Sequence, residues 1–147
     1  MDYYEKRSVL SLGVTSIVYA SVYYDIYDYL VIRSLDPSNL NFWGNIFLEL
    51  FLCLVAVYFM LYAVFNYVHK RRTGEAKPKF TDERDDLIEL RAVQVSFYML
   101  ALGVFLSLVA AIHVSTLSPV LIGVMSAFFA AGIAADSMRI LGYRKSR

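Results

Sequence analysis

The stretch His69–Ala92 reads HKRRTGEAKPKFTDERDDLIELRA, and it decides how the rest of the chain is organised. It is the only long polar segment, and it holds seven of the 14 Lys and Arg residues and six of the 13 Asp and Glu residues. The sequence on both sides consists of long apolar blocks. The chain is 59% hydrophobic and 18% charged, whereas a soluble domain carries about 25% charged residues. These features predict an integral membrane protein with this polar stretch at its centre.

Four apolar blocks are long enough to cross a bilayer, whose hydrocarbon core needs about 20 residues of helix. The expected helices cover about 8–32, 42–68, 82–112 and 119–141, with a loop at 69–81. Helix 3 is expected to begin outside the membrane, because its first turns are charged and only Gly103 could interrupt it. The predicted fold class is therefore all-α, with residues 1–147 forming one bundle of four transmembrane helices.

The basic residues are distributed unevenly about these spans. With four spans, both termini and the central loop share one side of the membrane, and that side holds every Lys and Arg except Arg33. Cytoplasmic loops carry an excess of Lys and Arg, so we expect this side to be the cytoplasm. The start of helix 3 would then extend into the cytoplasm.

Several ionisable residues are expected near the outer ends of the helices. Helix 1 has polar and small residues at alternating three- and four-residue spacing, which places them on one inward-facing stripe: Ser11, Val14, Val18, Ser21, Asp25, Asp28 and Ile32. Helix 2 has a matching stripe: Asn45, Glu49, Cys53, Ala56, Met60 and Ala63. An outer polar cluster is thus predicted from Asp25, Asp28, Arg33, Glu49 and His113.

Three interpretations of this outer cluster are open. A hydrogen-bond and salt-bridge network that ties helices 1–3 together is favoured, because charges near the interface cost less than charges at the bilayer centre. The others are a cation or proton site in an outward-facing vestibule, and a metal site made of Asp, Glu and His. Motifs such as HxxxH and ExxH are absent, so no metal site is predicted.

Helix 4 carries small residues every four positions: Gly123, Ala127, Ala131 and Ala135. Small residues allow helix backbones to approach closely in lipid. We expect this row to pack against another helix of the same chain, with a homo-oligomer interface as the alternative. Asp136 lies near the inner end of helix 4, where Arg139 can pair with it three residues later.

The charged start of helix 3 is a candidate docking surface, made of Asp82, Glu83, Arg84, Asp85, Asp86, Glu89 and Arg91. Few of its acids find a Lys or Arg four residues later in the same helix, so local ion pairs do not account for them. Their partners are expected in the basic loop, in the tail 139–147, in a second copy or in another protein. The basic loop is also expected to contact anionic lipid headgroups.

The same segment carries a resemblance to a known protein family. Residues 82–92, DERDDLIELRA, followed by FYML at 97–100, resemble a motif of small prokaryotic four-span membrane proteins. That family is classed as a domain of unknown function. The resemblance implies a prokaryotic cytoplasmic (inner) membrane protein with a regulatory partner and no enzyme activity.

No nucleophile–base pair, phosphate loop or haem motif is visible, and the one cysteine, Cys53, excludes an intrachain disulfide. We therefore expect no catalysis and no cofactor, and the net charge of +1 gives no indication of nucleic-acid binding. The predicted function is that of an accessory or regulatory subunit that docks a partner or a second copy through its charged cytoplasmic segment. The alternative is a small transporter or channel with an outward-facing carboxylate vestibule.

Overall fold

The structure, a computed structural model, describes residues 3–36, 38–73 and 83–145, and within them it is helical with short connections. The helices are α1 (Tyr3–Tyr27), α2 (Leu40–Thr73), α3 (Glu83–His113) and α4 (Ser118–Lys145), and a π-helical segment (Asp28–Ile32) continues α1. All four α-helices are long and apolar enough to span a membrane. The prediction of an all-α fold with four helices long and apolar enough to span a membrane is confirmed for the described residues. Residues 69–73 of the predicted loop belong to α2, and residues 74–81 lie outside the described residues.

α1 begins at Tyr3, before its apolar block, and two other helices extend past the C-terminal ends of theirs. α2 ends at Thr73 rather than near residue 68, and α4 ends at Lys145 rather than near residue 141. Both extensions are basic, and Lys and Arg are good helix formers whose positive charge is favourable at a helix C-terminus. The end of an apolar block therefore does not mark the end of α2 or of α4.

Polar side chains organise the connection between α1 and α2. The Asp36 carboxylate accepts hydrogen bonds from the backbone N–H and the hydroxyl of Ser38, at 2.9 and 2.8 Å. These two donors hold the pKa of Asp36 below its ordinary value. The Asn39 side-chain oxygen accepts from the N–H groups of Asn41 and Phe42, which caps the start of α2. Pro37 lies outside the described residues.

The helices pack in the order α2, α1, α4, α3. α1 contacts both α2 and α4, and the most extensive contact in the molecule joins α3 to α4. α2 and α3 consequently flank the arrangement, and their apolar segments are the least buried of the four. Among the described helices, α2 and α3 therefore expose the largest share of their apolar segments.

The α3–α4 contact is close because its facing residues are small. A Cβ atom added to Gly103 would lie 2.5 Å from the Ala127 Cβ, and one added to Gly123 would lie 2.5 Å from the Ser107 hydroxyl oxygen. Ala127, Ala131 and Ala135 are buried. The small-residue row of helix 4 therefore contributes to packing within the chain, as expected for backbones that approach closely.

An apolar core fills the half of the molecule that carries the α1–α2 and α3–α4 connections. It consists of Tyr19, Val22 and Ile26 from α1, Trp43, Ile46 and Leu50 from α2, and Met125 from α4. The Tyr19 ring stacks on Phe129 with centroids 4.5 Å apart. This core joins α1, α2 and α4 at one end of the molecule. Polar residues lie at the opposite end.

The inward-facing stripe predicted for helix 1 is wrong. The buried face of α1 is formed by Ser8, Ser11, Thr15, Tyr19, Val22 and Ile26, and of the predicted stripe only Ser11 is buried. Asp25 is exposed. Packing aliphatic groups inside is favourable, whereas burying an unpaired carboxylate is costly, and the helix places Val22 and Ile26 inside.

One hydrogen bond joins α1 to α4 inside the apolar half. The Ser126 hydroxyl donates to the Ile122 carbonyl at 2.7 Å, so the Tyr23 hydroxyl must donate to Ser126, at 2.6 Å. We expect Tyr23→Phe to lower the free energy of unfolding by about 1 kcal/mol, because Ser126 loses its donor. Thermal unfolding in detergent micelles measures this, and Tyr24→Phe, at an exposed tyrosine, is the matched control. Equal effects of the two substitutions would contradict the prediction.

Candidate functional site

A polar cavity of about 440 Å³ opens at the end of the molecule opposite the apolar core. We call this end, which holds the start of α1, the start of α3 and the last turns of α4, the charged end. The lining residues come from all four helices: Arg7, Ser8 and Ser11; Tyr58 and Leu61; Asp85, Asp86 and Glu89; Asp136, Arg139 and Tyr143. Small-molecule sites in proteins have volumes of roughly 300–1,000 Å³, so this cavity has the size of one.

Arg139 organises one wall of the cavity. Its Nε and one terminal nitrogen donate to the two carboxylate oxygens of Glu89, at 2.8 and 2.6 Å. The other terminal nitrogen donates to Asp136 at 2.9 Å. The planar guanidinium matches a carboxylate in this two-point geometry. Arg139 therefore links the start of α3 to the last turns of α4, and the sequence-predicted Asp136–Arg139 pair is confirmed.

The buried member of this network is Asp136, which is only 4% exposed. Removing a carboxylate from water is costly unless an opposite charge and hydrogen bonds replace its hydration. Arg139 supplies both, and it does so from within the same helix. Glu89, Asp136 and Arg139 thus form one hydrogen-bonded network in the cavity wall.

α1 contributes hydroxyl groups to the site. Ser8, Ser11 and Thr15 follow one another on the buried face of the helix, and the first two line the cavity. Thr15 lies one helical turn beyond Ser11, and its hydroxyl oxygen has no hydrogen-bond partner among the described residues. The Arg7 guanidinium, at the same end of α1, lies over the Tyr62 ring of α2 at 5.8 Å from its centroid.

The predicted docking residues at the start of α3 divide between two faces. Asp85, Asp86 and Glu89 line the cavity. The others are exposed and outside the cavity wall: Glu83, Arg84 and Arg91, together with the neighbouring Leu87 and Leu90. We call these five residues the outer face of α3. The predicted docking residue Asp82 lies outside the described residues.

The outer polar cluster is brought together only in part. Arg33 forms an ion pair with Asp28 at 2.7 Å. Asp25, Glu49 and His113 are exposed, each on a different helix. Within 3–36, 38–73 and 83–145, no group of three or more His, Cys, Asp or Glu residues is arranged to hold a metal ion.

The cavity itself was not predicted from the sequence. Its wall combines residues from the start of α1 with residues more than a hundred positions later, and no local motif links them. A usable signal did exist, because Ser8, Ser11 and Thr15 recur at helical spacing and so mark a polar face of helix 1. Arg7 precedes that face directly.

Comparison of the chain with protein families, with curated proteins and with solved structures gives no match.

Proposed function

We propose that the protein is a non-enzymatic multi-pass membrane protein that acts as an accessory or regulatory subunit in a prokaryotic cytoplasmic membrane. It docks a partner protein or a second copy of itself through the outer face of α3. The charged end and both termini face the cytoplasm. The observation that carries the proposal is the exposure of Leu87 and Leu90, 55% and 64%, between charged residues.

Helix length supports a docking surface outside the membrane. α3 has 31 residues, which at ~1.5 Å per residue is ~46 Å, against ~30 Å for the hydrocarbon core. About ten residues therefore exceed the core, and the charged first turns of α3 are the part that belongs in water. Leu87 and Leu90 then lie beside the membrane, at the level of the headgroups or beyond them.

The composition of the outer face also supports a protein partner. Exposed apolar side chains rimmed by charged ones are typical of protein interfaces. Arg84 and Arg91 stand beside Glu83 on this face, and none of the three has an ion-pair partner among the described residues. The alternative, a transporter with an outer carboxylate vestibule, requires Asp25 and Glu49 inside the bundle, and both are exposed.

The test is native mass spectrometry of the protein extracted gently from its own membrane. We expect the wild type to extract as a stoichiometric complex. The double variant Leu87→Glu/Leu90→Glu should lose at least nine-tenths of that complex, because two carboxylates would enter an apolar contact. A loss of about 1.4 kcal/mol of binding free energy already weakens the affinity about tenfold. Leu141→Glu, at an exposed leucine of α4, is the matched control. A monomeric wild type, or equal loss in the control, would sink the docking proposal.

A further inference from the structure

The cavity at the charged end is chemically separate from the outer face of α3. Its wall holds four carboxylates, Asp85, Asp86, Glu89 and Asp136, against the guanidinium groups of Arg7 and Arg139. Two negative charges are thus in excess. Arg139 is shared by Glu89 and Asp136, while Asp85 and Asp86 form no ion pair with any described residue. Arg7 acts electrostatically on Glu89, so the excess charge resides at Asp85 and Asp86.

The rest of the wall suits a cation that carries N–H groups. The Ser8 and Ser11 hydroxyl oxygens can accept hydrogen bonds, and a carboxylate accepts its strongest ones from an ionised donor. Tyr58 and Tyr143 also line the cavity, and an aromatic ring attracts an ammonium group. Carboxylates, hydroxyls and aromatic rings together are the partners that an alkylammonium ion uses.

The size and geometry of the cavity favour an organic cation over a metal ion. No described His, Cys, Asp or Glu residues form a group of three placed to coordinate one. A volume of about 440 Å³ accommodates a carbon chain as well as its charged end. Ser8 and Ser11, which line this volume, are themselves buried and present their α1 face to it.

We propose that this cavity binds a small organic amine, whose ammonium group is held by Asp85 and Asp86 and whose carbon chain lies against Tyr58 and Tyr143. Arg139 pairs with Glu89 and Asp136 and leaves the two aspartates for the ligand. This binding does not depend on the docking proposed for the outer face of α3.

The experiment measures binding to the purified full chain in detergent micelles by isothermal titration calorimetry. The probe is 1,4-diaminobutane, and 1,4-butanediol is its uncharged counterpart of the same shape. We expect saturable binding of the diamine and none of the diol. Asp85→Asn and Asp86→Asn should each weaken binding about tenfold, since each removes one charge-assisted hydrogen bond.

Glu83→Gln is the matched control, because it removes one carboxylate from the same turn of α3 but from the outer face. We expect its affinity for the diamine to stay within about twofold of wild type. The absence of saturable diamine binding, equal binding of the diol, or equal loss in Glu83→Gln would each overturn the proposal. The variant Leu87→Glu/Leu90→Glu should keep its amine binding, so failure of the docking proposal and failure of this one are distinguishable.

Discussion

Arg139→Met is expected to lower the free energy of unfolding by about 3–5 kcal/mol, because it leaves a buried carboxylate without its counter-charge. Asp136 is 4% exposed, and Arg139 is the residue that neutralises it within the described structure. Methionine keeps most of the apolar stem of arginine, so the change removes charge and hydrogen bonds with little loss of packing. Glu89 contributes less to the cost, since its side chain is half exposed and can be hydrated.

A second substitution separates the charge effect from the packing effect. Asp136→Asn in the Arg139→Met background removes the unpaired charge, and we expect it to recover more than half of the lost stability. If the loss came from packing around the guanidinium, Asp136→Asn would give no recovery. Unfolding by SDS titration in mixed micelles, followed by circular dichroism, measures all of these variants on one scale.

Arg33→Met is the matched control for Arg139→Met, since Arg33 also forms an ion pair, at 2.7 Å from Asp28. The Arg33 side chain is 66% exposed, and exposed ion pairs contribute about 0–1 kcal/mol. We expect a change below about 1 kcal/mol in this variant. Equal destabilisation by the two arginine substitutions would contradict the role assigned to Asp136 burial.

The four spans were predictable because the bilayer sets a length that apolar blocks either reach or fail to reach. Each of the four predicted helices overlaps one of the helices observed, and the differences lie at their ends. The α3–α4 contact was also indicated, since the small residues at 123, 127, 131 and 135 of helix 4 favour a close neighbour. The α3–α4 contact was predictable because it depends on side-chain size, which is read directly from the sequence.

The rotation of α1 and α2 about their axes was not predictable from the same pattern. A soluble helix has an apolar face and a polar face, but a membrane helix is apolar on all sides, so the contrast that identifies the inward face is missing. For α2 the predicted inward stripe included Glu49 and Cys53, and both are exposed. Trp43, Ile46 and Leu50 are buried instead. Large apolar side chains filled the core and polar ones were left outside.

The cavity could not be predicted either, because its wall depends on how the helices are rotated and which of them are neighbours. Glu89 and Arg139 are 50 positions apart and meet because α3 and α4 are antiparallel neighbours. The tail 139–147 was among the predicted partners of the acidic segment, so the chemistry was foreseeable while the pairing was not. Arg7 and Tyr58 join the same wall only through the packing of α1 against its neighbours.

Gly103→Ala is expected to lower the free energy of unfolding by about 2–3 kcal/mol, although alanine is the better helix former. The added Cβ would lie 2.5 Å from the Ala127 Cβ and 3.0 Å from its Cα. Neither atom is the end of a flexible side chain, so α3 and α4 must move apart along their main contact. The SDS titration described for Arg139 measures the change.

Gly132→Ala is the matched control, because a Cβ added at that position in α4 meets no atom within 4 Å. Its stability should be unchanged or higher by up to about 1 kcal/mol, the ordinary helix-propensity gain. Ala127→Gly in the Gly103→Ala background removes the opposing methyl group, and we expect it to restore part of the lost stability. A Gly103→Ala protein as stable as Gly132→Ala would mean that α3 and α4 are further apart than the small residues at their contact require.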